Sequence, residues 1–369
     1  MTKLRIIVSG GGTGGHIYPA MALIKRLKER DMIEDVLYVG TENGLESKIV
    51  TKAGIDFKTI KISGFKRKLT FENIKVLNMF FSSIGKSKKI IKEFKPDIVV
   101  GTGGYVSSAV VYAAHTLHIP TVIHEQNTIA GVTNKFLGHF VDRIAIAFKD
   151  AQDQFSEKSK IVYTGNPRAQ EAAAIKANDR LKDFDLSPEK NTVMIFGGSR
   201  GAEPINKAVI DSLESFSKAD FQMIFVTGRV HYDGVVKRID EKYMSAPNIS
   251  IEPYIDNMPE ILPDLKLIVG RSGATSIAEI TALGIPAIFI PSPYVTHDHQ
   301  TKNARAIAAN GAANILPESE LTGEKLFNNV SEIMNSVDIQ NKMSAASKEI
   351  GVPDASDKLI SVLTGLVRK

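Results

Sequence analysis

The sequence predicts an α/β protein made of two Rossmann-like, doubly wound domains that face each other across a cleft. Three observations carry that prediction. Short β-branched runs alternate with helical patterns along the chain, which marks parallel sheets with crossover helices. Glycine-dense turns follow such runs in both halves, at Ser9 to Pro19, at Gly101-Thr102-Gly103-Gly104-Tyr105 and at Gly197-Gly198-Ser199-Arg200-Gly201. The length, 369 residues, exceeds what one hydrophobic core usually serves.

In chain order, strands are expected at 4–9, 36–40, 58–62, 97–101, 119–123, 144–147 and 161–164. A break at Thr164-Gly165-Asn166-Pro167 and a polar helical stretch over 168–190 separate these from strands near 192–197, 222–227, 249–252, 266–269 and 286–290. The domains then run 1–164 and 165–349, and a final helix near 350–369 could pack on either domain, returning to the first being one of the two options. In the opening turn, glycines at 10, 11, 12, 14 and 15 let backbone approach a ligand closely. Pro19 suits the first turn of the helix that follows, and His16 sits at that helix's positively polarised end. Ligands of such sheets bind beyond the carboxyl ends of the strands.

A hydrophobic content of 43% is that of an ordinary globular protein. Without cysteine there is no disulfide framework, cysteine metal site or thiol nucleophile, which fits a reducing cytoplasm. The given sequence opens on a strand pattern, so a signal peptide is not expected, and no stretch has the apolar length to cross a bilayer. The formal charge of +5 is unevenly placed: Lys58 to Lys95 carries eleven basic residues against Glu72 and Glu93. Such a patch suits an anionic surface, lipid or nucleic acid. Within it Ile74, Leu77, Phe81 and Ile84 recur at helical spacing as a core face, leaving Val76, Met79 and Phe80 as an apolar patch among lysines.

Several motifs are decoys. Gly10-x-Gly12-x-x-Gly15 satisfies the dinucleotide fingerprint with Glu42 as its acid, but a nicotinamide site requires neither the additional glycines nor the histidine. His297-Asp298-His299 alternates in a loop, with no further ligand cluster to complete a metal site. Asp183-Phe184-Asp185 lies in a polar linker. His124-Glu125-Gln126-Asn127 is different, because a polar tetrad at the end of the buried run 119–123 is hard to explain by packing.

Gly11-Gly12-Thr13-Gly14-Gly15-His16, Gly103-Gly104-Tyr105, His124-Glu125-Gln126-Asn127, Thr164-Gly165-Asn166-Pro167 and Gly197-Gly198-Ser199-x-Gly201-Ala202, in this order, closely resemble the MurG family. These are GT-B enzymes of glycosyltransferase family 28 that move N-acetylglucosamine from UDP-N-acetylglucosamine to lipid I in peptidoglycan synthesis. The likeness spans essentially the whole chain. It implies a metal-independent, cofactor-free reaction at the cytoplasmic face of the bacterial membrane, no role for nucleic acid, and other cell-wall synthesis proteins as partners.

By the same resemblance, Gly270-Arg271-Ser272-Gly273-Ala274 opens a helix whose first residues, Thr275 and Ser276, face the donor diphosphate. Glu279 matches the residue that binds the ribose hydroxyls, Ile255 the residue whose backbone reads uracil, and Gln300 the reader of sugar hydroxyls. Arg168 and Ser199 match positions near the phosphates. Thr13, Gly14 and Gly15 line the first loop, and Tyr105 and Asn127 position substrate. Thr301 departs from a second glutamine of some members, and Ser108-Ala109 replaces a common Gly-Pro.

One displacement inverting α to β requires one general base. His16 is the first candidate, since imidazole titrates near physiological pH and a positioned base gives about 10² to 10⁴ in rate. Glu125 and His124 are its rivals. The patch at 58–95 is then expected to meet anionic inner-leaflet lipids. A UDP-N-acetylglucosamine 2-epimerase would share the architecture without needing that patch. An oxidoreductase would use the Gly10 fingerprint. A nucleic-acid-binding protein would explain the charge, but neither the glycine loops nor Glu279.

Overall fold

The computed structural model describes residues 3–64, 71–295 and 298–367, with side chains 71–75 and 77 outside the description. Contacts divide the chain into two compact units, Met1–Arg168 with Asp354–Lys369, and Ala169–Pro353.

The first unit carries strands β1 (Leu4–Gly10), β2 (Ile33–Gly40), β3 (Asp56–Thr59), β4 (Ile98–Gly103), β5 (Thr121–Glu125), β6 (Arg143–Ile146) and β7 (Ile161–Tyr163). They form one sheet in the order β3-β2-β1-β4-β5-β6-β7, and each neighbouring pair runs parallel. Successive strand side chains point to opposite faces and both faces are covered, so the strands read as unbroken apolar runs. Ile7, Val99 and Ile123 enter one layer with helices α3 (Phe71–Phe94), α4 (Tyr105–Thr116) and α5 (Val132–Gly138). Ile6, Val8, Ile98, Val100 and Val122 enter the other, with α1 (Gly14–Glu29), α2 (Leu45–Lys52) and the last helix of the chain, Ala355–Val367.

The second unit opens with α6 (Pro167–Ala173) at its junction with the first. It then repeats the winding with β8 (Thr192–Phe196), β9 (Gln222–Val226), β10 (Ile249–Glu252), β11 (Leu267–Gly270), β12 (Ala287–Phe289) and β13 (Ala313–Ile315), in the order β10-β9-β8-β11-β12-β13. Its helices are α7 (Glu203–Ser217), the short α8 (Tyr232–Val236) and α9 (Glu241–Met244), α10 (Ala274–Leu283), α11 (His299–Ala308), α12 (Gly323–Met334) and α13 (Val337–Ile350). The last helix, α14 (Ala355–Val367), lies on α1 of the first unit.

Both sheets share one logic. Strand order reverses between β1 and β4 in the first and between β8 and β11 in the second, and glycine loops leave both strands at each reversal. In doubly wound sheets that crevice is where ligands bind.

Several expectations are corrected. β3 begins at Asp56 rather than 58, and the three-residue β13 was not foreseen. The helical stretch over 168–190 is only α6 and a 3-10 turn at Arg180–Phe184. Asn178 between them is instead drawn to Asp264 Oδ1 and the Glu260 carbonyl. Helix α1 begins at Gly14, so Pro19 lies inside it and removes one i→i−4 bond rather than serving the first turn.

On α3 the phase is off by one position. Val76 is buried and Phe80 packs against the core, both expected outside it, Phe81 is 62% exposed where core was expected, and Ile84 is buried as expected. The Ile74 and Leu77 side chains, and Lys66, Arg67 and Lys68, lie outside the described residues. Among the described residues no helix is long and apolar enough to cross a membrane.

Candidate active site

In the first unit the β1–α1 and β4–α4 loops are locked together. Gly11 N–H donates to the Gly103 carbonyl at 3.2 Å, and Gly12, Gly103 and Gly104 all have positive φ. A Cβ on Gly104 would stand 2.4 Å from the Gly11 carbonyl oxygen, so only glycine permits this approach. Thr13 begins α1 without a side-chain cap, which leaves the Gly14 and Gly15 N–H groups at a polarised helix end. His16, in that first turn, donates from Nδ1 to the Gly11 carbonyl at 2.9 Å, with the Thr13 hydroxyl 3.4 Å from the same nitrogen. With Nδ1–H engaged in this way, the neutral form of the ring has its lone pair on Nε2, which is the form a general base requires. Tyr105, exposed at the start of α4, lies over Gly64. Ser107 and Ser108 continue α4 as buried helical residues bonded back to Gly104 and Tyr105 carbonyls, so the absence of Gly-Pro leaves a regular helix.

The tetrad at the end of β5 has another purpose. His124 is wholly buried: Nε2 donates to the Gly165 carbonyl at 2.9 Å and Nδ1 accepts from the Gln126 amide at 3.0 Å. Burial lowers its pKa against the raising influence of the Gly165 bond and the Glu125 charge. Glu125 accepts from Asn127 N–H and Gly131 N–H at 3.0 Å each and from the Asn134 amide at 2.8 Å. The two rivals to His16 are thus both engaged in the fold, His124 at both ring nitrogens and Glu125 by the turn that runs through Asn127 and Gly131 to Asn134. Asn127 is held in that same turn. Arg168 stacks its guanidinium 5.7 Å from the ring centroid of Tyr18 on α1, and its N–H bonds to Asn166 Oδ1.

In the second unit the loops after β8 and β11 flank the corresponding reversal. Gly201, at positive φ, abuts the Thr227 carbonyl where a Cβ would stand 2.0 Å away, and Ser199 is exposed on the turn beside it. Helix α10 starts at Gly273 with no side-chain cap. The Thr275 hydroxyl in its first turn is buried and has no hydrogen-bond partner among the described residues, beside Ser276. Glu279 stands one turn on, on the same helix face and buried rather than solvated. Ile255 is buried, and among the described residues no hydrogen bond takes up its main chain. The side-chain oxygen of Gln300, Oε1, accepts Ser292 N–H at 2.8 Å, which leaves the side-chain amide protons as the donors available to a ligand.

Sequence reasoning missed two groups. Arg271 donates to the Ile290 carbonyl at 2.9 Å and pairs with Glu318 at 2.5 Å, both side chains nearly buried, bracing the β11–α10 loop from behind. Glu46 braces the first loop, whereas Glu42 is exposed and takes no such part. Arg271 stands within the glycine turn after β11 but its partners, Ile290 and Glu318, are remote in sequence, and Glu46 sits in an ordinary-looking turn. Thr301 bonds Asp298 at 2.6 Å, and Asp183 pairs with Arg180 at 3.1 Å. His297 lies outside the described residues, among which no group of three or more acids and histidines is arranged to hold a metal.

Two parallel α/β units, each with paired glycine loops at its sheet reversal, have the architecture of the GT-B glycosyltransferases. Residues 6–146 match the glycosyltransferase family 28 N-terminal domain and residues 192–359 its C-terminal domain. Over 365 residues the chain is 55% identical to the UDP-N-acetylglucosamine--N-acetylmuramyl-(pentapeptide) pyrophosphoryl-undecaprenol N-acetylglucosamine transferase of Latilactobacillus sakei subsp. sakei (strain 23K), covering 98% of this chain and 100% of that protein. Acinetobacter baumannii MurG matches with a TM-score of 0.75 at 27% identity, over 98% of this chain and 99% of that one. The chain belongs to glycosyltransferase family 28, and within it to the MurG family. A UDP-GlcNAc 2-epimerase from Neisseria meningitidis, bound to UDP-GlcNAc, shares the fold alone, with a TM-score of 0.64 at 15% identity over 98% of this chain and 99% of that one.

Proposed function

We propose that the protein transfers N-acetylglucosamine from UDP-N-acetylglucosamine to lipid I, giving the β-1,4-linked disaccharide of lipid II and UDP. The observation that carries this reading, in a chain of this family, is the uncapped start of α10. It combines N–H groups that no side chain caps, a buried Thr275 hydroxyl without a partner among the described residues and, one turn on, the buried Glu279. A diphosphate satisfies the helix end and a ribose diol suits the carboxylate. Thr275, Ser276 and Ser199 then bind phosphate, with Arg168 compensating the leaving charge. The Ile255 main chain reads the base and the Gln300 amide the sugar.

On the first unit, Thr13, Gly14, Gly15, Tyr105 and Asn127 position the acceptor. Its hydroxyl oxygen attacks the anomeric carbon opposite UDP, the carbon–phosphate oxygen bond breaks, and His16 Nε2 takes the hydroxyl proton. No metal or organic cofactor enters these steps.

The acceptor is membrane-borne, and the surface that suits it is now differently composed. Phe81 on α3 with Val132 and Phe136 on α5 are exposed, and Phe80 touches both Phe81 and Phe136. Lys86, Lys89, Lys92 and Lys135 are exposed on the same two helices. Apolar side chains among cations suit peripheral binding to an anionic leaflet, each cation adding about 1 kcal/mol. Such binding would place the protein on the cytoplasmic face.

Incubation with UDP-N-acetylglucosamine alone separates the two chemistries that this fold serves. The transferase reading predicts that the donor survives unchanged, and conversion to the C2 epimer would replace it with an epimerase.

A further inference from the structure

The buried carboxylate of Glu46 has no part in the roles above. It lies in the first turn of α2, and its oxygens accept Gly12 N–H at 3.1 Å, Thr41 N–H at 3.0 Å and the Thr41 hydroxyl at 2.6 Å. Three glycines make room for it: a Cβ on Gly11, Gly40 or Gly44 would stand 2.5, 2.7 or 2.2 Å from Glu46 atoms. Burial pushes its pKa up, but the bonds from Thr41, from its own N–H and from Gly12 outweigh this and hold it below the usual range, so the group is an anion. Its hold on Gly12 N–H fixes a residue at φ +85°, and the carbonyl just before that N–H, on Gly11, is the acceptor of His16 Nδ1. On the strand side, the Tyr38 hydroxyl donates to the Gly10 carbonyl at 2.8 Å.

We propose that Glu46 is a positioning residue for His16, anchoring the Gly11–Gly12 peptide so that the Gly11 carbonyl holds Nδ1–H and Nε2 keeps its lone pair for the acceptor. The proposal rests on His16 being the base. Glu46→Gln tests it closely, because an amide of the same shape keeps one oxygen, which the two Thr41 donors take, and turns its NH₂ group toward Gly12 N–H, so the Gly11–Gly12 peptide loses its anchor.

A double-mutant cycle with His16→Ala, read as kcat and KM, decides between coupling and independence. Glu46→Gln is expected to lower kcat about tenfold or more, as misplacement of a reacting group does, with the KM for UDP-N-acetylglucosamine within about twofold. Added to His16→Ala it should change kcat by less than about twofold. Imidazole ¹⁵N signals of His16 should move from the Nδ1–H tautomer toward a mixture. Multiplying effects in the cycle, or unchanged imidazole signals in folded Glu46→Gln, overturn the proposal. Near-normal turnover by His16→Ala would instead remove the base reading, and the ¹⁵N signals would still decide whether Glu46 governs the ring. If Glu46→Gln does not fold, Thr41→Val, which deletes the hydroxyl donor alone, goes through the same cycle and the same spectra.

Discussion

His16 and His124 are both histidines beside a glycine loop, and their surroundings give them opposite tasks. His16 has one nitrogen bonded and one left over. His124 has both bonded in a dry interior. Replacing His16 by Ala is expected to lower kcat by about 10² to 10⁴ with little change in melting temperature, checked by turnover and thermal unfolding of one sample. His124 bears on stability instead. Its folded pKa lies below the unfolded value, so the unfolded chain takes up the proton first, and stability that is complete above about pH 6.5 is lost as pH falls below it. The melting temperature of His124→Gln should therefore fall less between pH 7 and 5.5 than that of the unaltered protein, and equal slopes would contradict the assignment. Sequence marked the His124 to Asn127 tetrad as unusual but could not divide its labour, because hydrogen-bond partners such as Gly165 and Asn134 are set by the fold.

Helix α3 shows what periodicity can and cannot settle. Its apolar residues recur at helical spacing, yet so many are apolar that a pattern shifted by one residue fits almost as well. Packing on α4 selects the phase, burying Val76, Ile84 and Ile91 and leaving Phe81 outside. Ile91→Ala is expected to destabilise the first unit by about 2 to 5 kcal/mol, read by denaturant unfolding. Phe81→Asp should leave that stability nearly unchanged and weaken sedimentation with anionic liposomes severalfold; unchanged liposome binding would remove α3 from the membrane surface. The glycine loops were legible because close approach and positive φ demand glycine in the sequence itself. The strand β13, three residues long, offers no such signal.

Across the whole molecule, the repeated winding was legible as alternation of β runs and helices, but the allegiance of α14 was not. An amphipathic helix carries no address. Here Asp357 accepts from Arg26 and Arg30 at 2.7 to 2.9 Å, and Leu359, Ile360 and Leu363 complete the layer under α1. With these side chains about one-third exposed, the ion pairs contribute about 1 kcal/mol or less, and the buried leucines dominate. Leu359→Ala should cost about 2 to 5 kcal/mol in the first unit while leaving the affinity of the second unit for UDP unaltered, as seen by calorimetric titration.

The central claim is acceptor-dependent, inverting transfer. It is tested most directly by following UDP release from UDP-N-acetylglucosamine, with and without a lipid-linked muramoyl pentapeptide, in EDTA, and by determining the anomeric configuration of the product. The account predicts release only when the acceptor is present, undiminished by EDTA, and a β-linked disaccharide. An α linkage, release that ignores the acceptor, or silence with both substrates present would contradict it.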